Sequence, residues 1–149
     1  MSIKDKLRDE LTAALKAGED QRKTTLRMAL ASIKNAEVEA RGEIEEDLVL
    51  NLLQKEVKAR HETIEGAKQA NRPDLISKAE EEISILNEFL PQQLNEDELR
   101  ILVKEAIDES GASSMTEIGK IMGVLMPKIR GKADGKLANQ IVRELMGTE

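Results

Sequence analysis

Cysteine, tryptophan and tyrosine are absent from the sequence, and phenylalanine occurs once. Without cysteine there can be no thiol nucleophile, thiolate metal site or disulfide frame, which fits a reducing compartment. With one aromatic ring there is no platform for stacking unpaired bases, and little of the residue stock that strands draw on. Long apolar runs are lacking as well. The opening stretch MSIKDKLRDELTAALK is charged throughout and offers neither the core of a signal peptide nor a membrane span. These absences lead us to expect a cytoplasmic protein with no membrane partner.

What the chain has is charge. Charged residues make up 35% of its 149 residues, a bias that suits exposed helix faces and predicts an all-α fold. The formal net charge of −6 argues at first against a polyanionic partner, because phosphates are held by Lys and Arg. The distribution reverses that argument. Residues 91–119 carry two basic against seven acidic side chains, whereas residues 120–143 carry six basic against Asp134 alone.

Apolar periodicity and caps divide the chain. Ser2 caps a first helix with Ile3, Leu7, Leu11, Ala14 and Leu15 on one face and Gly18 at its stop. A second helix starts at Asp20 as N-cap and runs to Gly42. A third starts at about Glu45 and carries Val49, Leu53, Val57 and Ile64. Their short connection predicts an antiparallel hairpin, each arm roughly 30 to 40 Å long at 1.5 Å per residue. Pro73 opens a fourth helix that Pro91 ends. Asn95 to Glu98 then reads as a new N-cap with a capping-box acid, so the domain boundary falls there. The predicted domains are an N-terminal helical domain over 1–91 and a small three-helix domain over 95–149. In the latter we expect helices over 96–110, 114–129 with a late interruption at Pro127, and 135–146 capped by Asp134. Its thin core predicts some reliance on the first domain.

Several constellations suggest chemistry and fail on spacing. His61 stands in H-E-T-I-E without the second histidine of a metalloprotease helix, so it reads as a surface residue. Glu80, Glu81 and Glu82 are consecutive, 100° apart on a helix, and read as a solvated face. Gly119-Lys120 and Gly135-Lys136 lack the first glycine and the following Ser or Thr of a phosphate loop. Ser113, Ser114 and Lys120 have the residue types of an amidase triad without its glycine-rich strand-turn context. No catalytic residue, cofactor or metal site is expected.

The basic stretch remains. Lys120, Lys128, Arg130, Lys132, Lys136 and Arg143 surround a Gly-bounded turn leading into a helix N-terminus at Asp134. Backbone amides there could join the lysines in holding phosphate. A fainter stripe, Lys23, Arg27 and Lys34, shares a face of the second helix. The poverty of aromatics favours a structured RNA over a single strand.

Three segments carry a family resemblance: LRMALASIKNAE at 26–37, ILNEFLPQQL at 85–94 and GKIMGVLMPKIRGKADGKL at 119–137. They resemble the YqeY proteins, whose namesake domain also forms the tail of GatB, a component of the aspartyl/glutamyl-tRNA amidotransferase. The likeness runs along nearly the whole chain. It implies a helical N-terminal domain followed by a three-helix domain, and a tRNA-contacting appendage. It also implies association with a carbon-nitrogen ligase that uses glutamine as amido donor, an activity for which the residues supply neither nucleophile nor nucleotide site. Three functions compete. The first is a non-catalytic tRNA-binding accessory using the basic residues named above. The second is a helical adaptor for a tRNA synthetase or an amidotransferase, favoured if Met28 or Val38 lies exposed. The third is an amidotransferase component.

Overall fold

The computed structural model describes residues 1–147, and among them every regular element is helical. The all-α class is the one found. The elements are α1 (Ile3–Ala17), α2 (Asp20–Ala40), α3 (Glu46–Gln69), α4 (Pro73–Asn87), α5 (Glu96–Ser110), α6 (Ile118–Ile129) and α7 (Gly135–Leu145). A 3-10 turn over Met115–Glu117 leads into α6. The chain forms two compact units, Met1–Pro91 and Gln92–Glu149.

Local chemistry sets most boundaries. The Ser2 hydroxyl accepts the Asp5 amide at 3.1 Å, and Gly18 closes α1 in the left-handed region at φ 72°. Asn95 and Glu98 form a reciprocal capping box, with bonds of 2.8 and 3.1 Å. Other ends differ from expectation. Asp20 is the first residue of α2 instead of its cap, whereas α3 starts where expected, with Glu45 as its N-cap. The left-handed residue that closes α2 is Arg41, not Gly42. The 3-10 turn replaces the expected first turn of α6. α6 also continues through Pro127 to Ile129, although an internal proline costs about 3 kcal/mol. Leu125 and Ile129 are wholly buried, and their burial contributes roughly 1.5–3 kcal/mol each, enough to hold the last turn helical.

In unit 1, the most extensive pairings join α1 to α2 and α3 to α4, and α2 also touches α3 and α4. The expected α2–α3 hairpin is thus a seam within a four-helix arrangement, marked by a Ser32–Glu56 hydrogen bond of 2.6 Å. Leu7, Leu26, Ile33, Leu53 and Leu86 fill its core. Arg22 grips Glu88 through two bonds of 2.7 and 3.0 Å and Glu10 at 2.8 Å, tying α1 and the end of α4 to α2. These two carboxylates, Glu88 first, hold the guanidinium more firmly protonated than usual. Unit 2 closes α5, α6 and α7 around Leu99, Val103, Ile121, Leu125, Ile141 and Val142. Among the described residues, no helix is long and apolar enough to cross a membrane.

Candidate functional site

The turn between α6 and α7 is built by two of the segments singled out above. Gly131, buried and at φ 76°, lets the chain reverse where a β-carbon would be strained. Its carbonyl accepts the Gln93 side-chain amide at 2.7 Å, and the carbonyl of Lys132 accepts the Leu94 backbone amide at 2.9 Å. Gln93 and Leu94 therefore brace the G-K-A-D-G-K turn from within the same unit, fixing the backbone on which Lys132 and Lys136 stand.

α7 is sharply two-faced. Ala138, Ile141 and Val142 are buried, while Lys136, Gln140 and Arg143 are exposed at spacings of four and three residues, which places them on one face. Lys136 and Arg143 lie about 10 Å apart along the axis at 1.5 Å per residue. The Arg143 guanidinium donates to the Asn139 side chain at 2.8 Å, which orients it on this face. Neither Lys132, Lys136 nor Arg143 has a carboxylate partner among the described residues.

The other basic residues fare differently. Lys128 is tied to Glu109 at 2.6 Å, joining α6 to α5. Lys120 pairs with Glu117 at 3.2 Å but stays 68% exposed, so the pair is weak. Arg130 is exposed at the C-cap of α6. On unit 1, Lys23 sits 3.3 Å from Asp20, while Arg27 and Lys34 are exposed. The structure therefore gathers the unpaired cations of the basic stretch on the turn and α7, and leaves the α2 stripe on a separate compact unit.

One expectation needs correcting. The amides at the start of α7 do not form an open anion nest, because the Asp134 carboxylate accepts the Lys136 amide at 3.2 Å and places a negative charge at the helix dipole. Phosphate binding here would rest on side chains.

The residues weighed for catalysis are engaged otherwise. The Ser113 amide and hydroxyl both donate to Glu117 at 3.3 Å, the Ser114 and Thr116 hydroxyls bond at 2.7 Å, and Lys120 meets the other Glu117 oxygen. No serine-to-lysine relay is assembled among them. The Ser113 amide and then Lys120 hold the Glu117 carboxyl below its usual range. His61 is exposed. The glutamate run is not wholly solvated: Glu80 and Glu81 face water, but Glu82 turns inward to Arg60 at 2.7 Å. A depression lined by Glu19, Asp20, Gln21, Arg22, Glu81 and Ile85 is open and rich in acid.

Sequence reasoning missed Asn139, Gln140 and Arg60. The first two follow from the α7 period once its buried face is known. Arg60 lies seven residues after Leu53 and four before Ile64, on the stripe of α3 that otherwise carries apolar side chains, a position that marks it as buried.

Comparison with known proteins returns a family model described as Yqey-like protein, matched over residues 4–146. A protein of Lachancea thermotolerans named altered inheritance of mitochondria protein 41, mitochondrial, is 34% identical over 113 residues, covering 75% of this chain and 57% of the relative. Its namesake in Pyrenophora tritici-repentis is 28% identical over 149 residues, covering 97% and 81%. The chain thus spans little more than half the length of the first of these. One of the glutamyl-tRNA(Gln) amidotransferase subunits of Thermococcus sibiricus is 51% identical over 43 residues, 29% of this chain and 7% of the relative. The names overturn the cytoplasmic expectation: relatives matched along most of the chain are called mitochondrial, and a cysteine-free charged sequence is no argument against such a compartment.

Proposed function

The chain belongs to the YqeY-like family, and from that premise we propose that it is an accessory protein that grips structured RNA, tRNA foremost, through unit 2. The observation that carries the reading is the set of cations left without carboxylate partners, Lys132, Lys136 and Arg143, lined up on the turn and outward face of α7. Their ammonium and guanidinium groups would neutralise successive phosphates. Asn139 and Gln140 between them supply hydrogen-bonding groups for sugar or phosphate oxygens. The acidic α5 surface of the same unit, with Glu96, Asp97, Glu98, Glu105 and Asp108, would repel the polyanion. Only one orientation of the RNA then brings unlike charges together. Support for tRNA over other RNA comes from the amidotransferase relative whose name contains it. A rigid, braced cationic face with no stacking side chains suits backbone and shape recognition of a folded RNA.

The test is a fluorescence-anisotropy titration of the full chain with bulk tRNA. Changing Lys132, Lys136 and Arg143 together to glutamine should weaken binding at least tenfold, while Lys128→Gln, which loses an intramolecular pair, should change it less than threefold. Unchanged affinity in the triple variant would refute the reading.

A further inference from the structure

α2 has a second ordered face that the RNA reading does not use. Met28, Ala31, Asn35 and Val38 recur at spacings of three, four and three residues, and all four are exposed; Val38 remains 66% accessible. That spacing is the a and d seam of a heptad, with the single polar residue Asn35 at an a position. Arg27 and Lys34 recur seven residues apart, each immediately before an a position. These are g positions, which choose a partner in two-stranded coiled coils; both are basic, while the exposed e position Glu39 is acidic.

A second observation points the same way. Arg41 closes α2 at φ 57°, a left-handed conformation that favours glycine, although Gly42 is the next residue. Glycine would adopt that conformation with less strain, whereas Arg41, one residue past the helix, adds exposed positive charge at the end of this face.

We infer that the outer face of α2 docks an amphipathic helix of another protein, one with an apolar heptad seam and carboxylates recurring every seven residues beside it. Apolar side chains at the centre of the face suit a protein partner over RNA, since phosphates gain nothing from Met28 or Val38. Self-pairing is disfavoured. In an antiparallel pair of α2 helices the basic g rows would face each other, and in a parallel pair Arg27 would meet Ser32, leaving Lys34 with Glu39 as the only opposite-charge contact. The inference is independent of tRNA binding by unit 2.

The probe is a synthetic three-heptad helical peptide with Leu at d, Val at a except for one Asn, and Glu at e and g, beside a twin with Lys in place of Glu. Titration of the isotope-labelled full chain, followed by amide NMR, should show the acidic peptide perturbing residues 27–41 and binding at least tenfold more tightly than its twin. Arg41→Gly should weaken binding at least threefold while leaving the melting temperature equal or higher, and Val38→Asp should abolish it. Equal binding of both peptides, or perturbations centred outside α2, would overturn the inference. So would tRNA, in place of the acidic peptide, shifting the α2 amides, which would mark the face as a nucleic-acid surface.

Discussion

Arg60 is buried, 7% exposed, where α3 otherwise turns apolar side chains to the core, and it meets Glu56 at 2.6 Å and Glu82 at 2.7 Å. Ser32 and Gln21 donate to the same two carboxylates, at 2.6 and 3.2 Å, so α2, α3 and α4 share one polar network. Breaking such a network on one side leaves charges without compensation. Arg60→Met should therefore destabilise the protein by about 3–5 kcal/mol in urea unfolding, whereas adding Glu56→Met and Glu82→Met should recover most of that loss. A loss below about 1 kcal/mol in the single variant would show that the network carries little of the fold. Arg41→Gly has the opposite sign. Relief of the left-handed strain should stabilise by about 1 kcal/mol, read as a higher urea midpoint. At this scale the caps Ser2, Asn95 with Glu98, and Asp134 were legible in the sequence, because a cap depends on neighbours within four residues. Glu82 was not, since its partner Arg60 lies 22 residues away and a run of three glutamates looks solvated.

Helix faces were more legible than helix partners. The apolar stripes of α1, α2 and α3 could be read directly, but a stripe says only that something covers it. Short loops suggested an α2–α3 hairpin where α3 packs chiefly on α4. At the start of α7 the element itself decides what an anion meets. Asp134 caps the helix and opposes phosphate at once, so Asp134→Ser, which keeps a capping oxygen without the charge, should raise tRNA affinity about two- to fivefold. A fall in affinity would mean that Asp134 orients the basic turn in some further way. The α1–α2 contact is sensitive to acid. Lys4 lies 2.7 Å from Glu37, and this hydrogen bond holds the Glu37 carboxyl below its usual value of 4.5. A depressed native value means the contribution is present above the ordinary carboxylate range and lost as pH falls through the lower native value. Thermal melting of Glu37→Gln should accordingly show a shallower decline below pH 4.5 than the parent; parallel declines would remove Glu37 from the acid response.

For the whole molecule, charge placement matters more than charge total. A net charge of −6 hides a unit whose α5 surface is acidic and whose turn and α7 are basic. The two basic-to-acidic counts along the sequence located that asymmetry, because short helices keep sequence neighbours together in space. Composition could not show which cations would be engaged internally. Lys128 is taken up by Glu109 and Lys120 by Glu117, leaving a smaller set than the sequence suggested. Compartment was not legible either: the lack of cysteine and the charge of the opening stretch pointed to the cytoplasm, and relatives named as mitochondrial contradict it.

The central claim is that Lys132, Lys136 and Arg143 hold RNA by neutralising phosphates, and salt dependence measures that directly. Three such contacts predict a slope of about −2 to −3 for log K against log salt with tRNA, falling to near zero when all three are changed to glutamine. A slope that is the same in the parent and the triple variant would contradict the account, whatever the absolute affinity.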